Sequence, residues 1–204
     1  MDMGLGHLNG MLLEMATISE RAVASSVEAY NEGREGTDVK EMAERLQSLH
    51  RQVSELSMEI IARYQPVATD LRFIKACFEV SYGFFRYGRY ALDITEVLDM
   101  FGDLSKCDKS SVAETARKTQ EMIRMSIDAF ARRDVALARK IRAMDDAVDN
   151  SYRGNISKVL REKKDIKCSL SKTLILRYLE RIADHATYIG DSVEYIVTGV
   201  ESGL

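Results

Sequence analysis

Apolar residues recur at spacings of three and four along nearly the whole chain, the period of helices that bury one face. Six segments carry it. The first covers about Leu8 to Tyr30 and ends at Asn31-Glu32-Gly33. The second opens near Thr37-Asp38, where Asp38 and Glu41 have capping-box spacing, and runs to about Tyr64. At Gln65-Pro66 the chain turns, because proline suits the first turn of a new helix and disfavours helix in the residue before it. The third extends to about Met100, and the fourth runs from about Ser110 to Arg132. Asp134 is placed to cap the fifth, which reaches about Arg161, and the sixth runs from near Ser169 to Thr198-Gly199.

Short connections between long helices favour antiparallel neighbours. The polar break at 102–109 divides the six helices into three and three, which invites a search for duplication. FFRYGRYALDITEVLD (84–99) aligns with LERIADHATYIGDSVE (179–194), pairing Arg86 with Arg181, Ala91 with Ala186 and Ile94 with Ile189. The pattern predicts an all-α fold of two pseudo-repeated antiparallel three-helix bundles, residues 1–105 and 106–204.

Composition agrees with this and removes other classes. Of 204 residues, 46% are hydrophobic and 30% charged, with one proline (Pro66) and no tryptophan, so little breaks the helices. A net charge of −3, with basic and acidic residues interspersed, predicts no nucleic-acid partner. MDMGLGHLNG has neither the positive flank nor the apolar block of a signal peptide, and no run is long enough to span a bilayer. Cys77, Cys107 and Cys168 are odd in number and far apart. They predict reduced thiols in a cytoplasmic protein, not a disulfide framework or a zinc site.

The candidate chemistry is acidic. On the sixth helix, Ile182, Ala186, Ile189 and Val193 form the core stripe, and Glu180, Asp184 and Asp191 fall nearly opposite it. These acids are expected outside the core, as metal ligands or as a solvated face. With 32 acidic residues in 204, chance alone supplies about five acidic pairs four apart, such as Glu55 and Glu59, so spacing does not decide between the two. On the fifth helix Asp145 projects into the edge of the stripe Ile141, Met144, Val148, Tyr152, Val159, and Asp149 flanks it. A carboxylate at a core boundary needs a partner, either a cation or an arginine. If helices five and six pack side by side, the two pairs can meet, and oxygen-only donors suit iron, manganese or magnesium better than zinc.

Catalytic signatures are missing. None of His7, His50 and His185 follows a glutamate by three, so the Glu-x-x-His pattern of di-iron bundles does not occur. No GxSxG or P-loop occurs either, and the chain is read as a non-enzyme. His185 is expected on the surface. Phe84 and Tyr87 are expected in the core.

LERIADHATYIGDSVEYIVTG (179–199) and QPVATDLRFIKA (65–76) resemble the signatures of PhoU-type regulators of phosphate uptake, and the similarity covers nearly the whole chain. The resemblance implies two pseudo-repeated three-helix bundles in the cytoplasm. It implies a regulator that restrains uptake through a phosphate-specific ABC transporter and signals phosphate sufficiency to a sensor histidine kinase, reaching the membrane only through these partners. Some members of that family hold multinuclear metal clusters through paired (Glu/Asp)-x-x-x-Asp motifs on neighbouring helices. Carried over, these are Asp145 and Asp149 with Glu180 and Asp184, and the ion is iron, manganese, magnesium or zinc. The matching first-half positions are Phe85 and Arg89, with approximately Ala43 and Gln47, so one metal site is expected, in the C-terminal half. Tyr188 stands where the family often has asparagine. Phe85 is expected to face outward with Arg89 beside it, as a partner contact, and outward aromatics leave room for a homodimer. The competing expectations are a metal-carboxylate bundle serving as store or enzyme, and a metal-free helical adaptor.

Overall fold

The computed structural model describes residues 1–162 and 165–201. It contains six helices: α1 (Asp2–Glu32), α2 (Thr37–Tyr64), α3 (Ala68–Phe101), α4 (Ser110–Arg132), α5 (Val135–Arg161) and α6 (Ile166–Thr198). They form two three-helix bundles, α1–α3 and α4–α6. Both α3 and α6 pack on the other two helices of their own bundle and on each other. Cross-contacts run Arg72 to Ile196, Gly83 to Ile189 and Tyr90 to Tyr178, so α3 and α6 are antiparallel.

Their approach is close. An added Cβ on Gly83 would lie 2.9 Å from Ile189, and one on Gly190 would lie 3.3 Å from the Ala138 carbonyl of α5. The core is continuous across both bundles, with Leu12, Leu46, Ile74, Phe84, Tyr87, Ile94, Met122, Ile141, Leu179 and Ile189 all fully buried. Phe84 and Tyr87 lie in it as their spacing predicts.

Local signals explain most boundaries and fail at some. Asp134 caps α5, accepting from the amides of Ala136 (2.9 Å) and Leu137 (3.1 Å). Asp165 accepts from the Cys168 amide, so α6 starts three residues before the Ser169 expected. The Asp38–Glu41 capping box does not form. Gly36 occupies the N-cap, and the Asp38 carboxylate accepts instead from the Ser25 hydroxyl of α1 at 2.9 Å. Pro66 also stays outside α3, in a turn bounded by Gln65 (φ 45) and Ala68 (φ 50), both left-handed without being glycine.

Two expectations are overturned by packing. Cys107 and Cys168 are not reduced thiols but a disulfide, and only Cys77 is free, buried in α3. Their sequence separation of 61 conceals that α6 folds back beside the connection after α3. His185 is not a surface side chain. It sits among Tyr82, Tyr90 and Tyr188 at the α3–α6 seam, and burial, helped by Arg86, lowers its pKa to about 4.

Candidate acidic site between helices five and six

Asp145, Asp149 and Asp184 each offer a carboxylate oxygen within 4.8 Å of the others, all three half-buried. Among the described residues this is the one such grouping. The spacing of four on α5 puts Asp145 and Asp149 on one face, and α6, packed beside it, brings in Asp184.

Glu180, one turn earlier on α6, is 8% exposed, not on a wet face. The single-stripe wheel fails because α6 is packed by α3, α4 and α5 and has core on several sides. Glu180 is ion-paired with Arg177. Its other oxygen lies 3.7 Å from Arg181, too far for a hydrogen bond.

Two buried oxygens here, Asp145 Oδ1 in the group and Glu180 Oε2 beside it, have no hydrogen-bond partner among the described residues. An orphaned buried carboxylate oxygen is costly. The cost shows in the titration. Burial, followed by the charge of Asp184, raises Glu180 to about 7. Burial, followed by Asp184, Asp149 and Asp146, raises Asp145 to about 6. Asp184 is also raised, by burial and then by Asp149. Arginines offset part of the charge from the rim. Arg181 donates to Asp184 (3.1 Å) and Arg153 to Asp149 (2.8 Å), while Asp191 lies outside the group, paired with Arg142. Among the described residues, no arginine reaches Asp145. Converging oxygen donors with unsatisfied lone pairs fit a hard cation, which would lower all three raised pKa values at once.

The corresponding place in the first bundle has another chemistry. Ala43 is buried, Gln47 is exposed, and Arg89 is turned to Asp93 (2.7 Å) and Glu96 (3.7 Å). Phe85 is half-buried rather than outward, stacked on His50 with ring centroids 5.7 Å apart. The more open aromatics are Tyr82 and Tyr188, 42% and 48% exposed. His50, Phe85, Tyr82, His185 and Tyr188 make a continuous run of ring contacts from the first bundle to the edge of the acidic group. The aromatic density of YGFFRYGRY (82–90) was its only sequence signal, because His50 and Tyr188 join it through space.

Among the described residues, no helix is long and apolar enough to cross a membrane. The family model for the PhoU domain matches residues 12–98 and 112–193, one segment in each bundle. A phosphate-specific transport system accessory protein PhoU homolog from Synechocystis is 32% identical over 197 residues, covering 92% of this chain and 87% of that one. The homolog from Pseudomonas putida is 30% identical over 205 residues, covering 97% and 80%. The crystal structure of PhoU from Pseudomonas aeruginosa superposes with a TM-score of 0.89 at 29% identity, covering 98% of this chain and 99% of that one. The regulatory protein PhoU from Streptococcus pneumoniae shares the fold at 20% identity and a TM-score of 0.79.

Proposed function

This chain belongs to the PhoU family, and from that premise we propose that it is a non-enzymatic cytoplasmic regulator of phosphate uptake and phosphate-dependent signalling. It acts by docking on a phosphate ABC transporter, on the associated sensor histidine kinase, or on both. The naming of its relatives as accessory proteins of phosphate-specific transport supports this reading.

The observation that carries the site is the convergence of Asp145, Asp149 and Asp184 beside the unpartnered oxygen of Glu180. These four carboxylates hold iron, manganese, magnesium or zinc at the surface of the second bundle. Held there, a cation would supply positive charge next to the exposed Tyr188. The residues themselves provide the donor oxygens, and Arg153, Arg177 and Arg181 orient three of the four. Phe85 supports the ring run that borders the docking face, alongside the more exposed Tyr82, and Arg89, held by Asp93 and Glu96, contributes from the first bundle as a partner contact.

The test is binding of the purified chain to the transporter's ATPase subunit and to the kinase's cytoplasmic part, with and without chelator. Binding to at least one, weakened by chelation and by Tyr188→Ala, is the expected result. Binding to neither contradicts the regulatory reading. Binding that ignores chelators but falls steeply with salt favours a metal-free adaptor.

A further inference from the structure

Cys107 and Cys168 form a bond that neither the acidic site nor the ring run uses. Cys107 lies in the connection between α3 and α4, Cys168 lies in the first turn of α6, and their Cα atoms are 5.4 Å apart. The connection is fastened on two sides. Toward the first bundle, Leu104 is buried, and Lys109 Nζ donates to the Tyr30 and Asn31 carbonyls (2.8 and 3.1 Å) at the end of α1. Toward the second bundle, the disulfide is accompanied by an Asp108–Lys172 ion pair at 3.0 Å, whose aspartate is 69% exposed. With its aspartate so open to water, though Lys172 is only 17% exposed, the pair is a weaker fastening than a covalent bond. The covalent bond is therefore the main tie between the inter-bundle connection and α6.

The bond is also reachable. Cys168 lines an open polar cleft of about 390 Å³ with Ser111, Thr115, Asn155, Lys158 and Lys172, wide enough for a small thiol. Cys77 is buried in the core, and burial pushes its pKa up to about 12, which keeps it out of thiol exchange. A chain with a core this continuous does not depend on a staple to fold. In the cytoplasm, where the proposed function places it, a disulfide is more often a sensor than a brace.

We infer that the Cys107–Cys168 disulfide is a redox clamp. Its reduction by a glutathione-type thiol frees the 102–109 connection and the first turn of α6 while both bundles remain folded. The reductant's thiolate bonds to the Cys168 sulfur, the S–S bond breaks, and the Cys107 thiolate leaves and takes a proton. A second reductant thiolate then attacks the mixed disulfide. The Cys168 thiolate leaves and is protonated, and the reductant departs as its own disulfide, two electrons having passed to the protein. Oxidised glutathione drives the reverse.

The experiment equilibrates the full chain in glutathione buffers from largely reduced to largely oxidised, counts alkylated thiols by mass, and follows hydrogen exchange. The expected result, with alkylation after unfolding so that buried Cys77 is counted, is three alkylated thiols in the reduced buffers falling to one in the oxidised ones. Reduction should come with exchange about tenfold faster in 104–110 and 166–171 and unchanged elsewhere. Cys168→Ser should exchange like the reduced protein in every buffer, and Cys77→Ser should behave as wild type. A single alkylated thiol in all buffers would make the bond a permanent brace and overturn the proposal. Three in all buffers would show that no bond forms, and conversion without a change in exchange would show that nothing is released. None of these readouts depends on metal or on a phosphate-linked partner, so the clamp and the proposed function can fail separately.

Discussion

Asp145 and Glu180 carry the strain of the acidic site. Each has a buried oxygen without a partner and a pKa raised above its ordinary value. A carboxyl group whose folded pKa is raised favours the folded state when protonated. Through these groups the metal-free protein loses stability as pH rises from about 4 through about 6 and 7, outweighing His185, whose pKa lowered from 6.5 to about 4 acts in the opposite sense. It should melt higher at pH 5 than at pH 8, and a bound cation should shrink or reverse the difference. Asp145→Asn removes the charge and should raise metal-free stability at pH 8 by about 1 kcal/mol, discounted for partial exposure, or about 2–4 °C in Tm. Thermal melts at the two pH values decide it, and an Asp145→Asn protein that melts lower than wild type would show that the site is already satisfied without metal. At this scale the sequence was half legible. The spacing singled out the four acids and could have paired Glu180 with Arg177 three residues before it, but a wheel drawn for one core stripe misplaced Glu180.

The helices themselves were the most legible part, because one apolar period and a few punctuating residues set them. The α4 bounds and the Asp134 cap follow directly from polar residues preceding a periodic run. Asp134→Ala should cost about 1 kcal/mol, the usual worth of such a cap, with helicity otherwise retained. Denaturant unfolding checks this, and no loss would mean that the first turn of α5 is held by packing alone. Where propensity failed, a tertiary partner had won. Asp38 found Ser25 on α1 instead of its own helix end, and His185 found three tyrosines, one of them its neighbour on α6 and two across the seam. Apart from Tyr188, such partners lie on other helices, where the periodicity of one segment carries no information.

In the whole molecule, the α3–α6 seam sets how the two bundles sit and carries the rings that reach the acidic group. Gly83 permits the approach, since a Cβ there meets Ile189 at 2.9 Å. Gly83→Leu should destabilise by about 1–3 kcal/mol through overpacking and should disturb the ring contacts at His185, visible in its imidazole resonances. Unchanged stability and resonances would show that the seam is not tightly packed. The two-bundle plan was readable from the repeat of three helices. The conversion of the first bundle's acidic place into an aromatic one was readable only as substitutions, and its continuity with the second bundle emerges from the fold. Metal binding is assigned to one site, in the second bundle. It is tested most directly by elemental analysis of protein loaded with excess iron, manganese or zinc and then desalted. Stoichiometric metal is expected in wild type and in the first-bundle control Asp93→Asn, with loss of it in Asp145→Asn/Asp184→Asn at unchanged helicity. A metal-free wild type, or metal retained by the double variant, would contradict it.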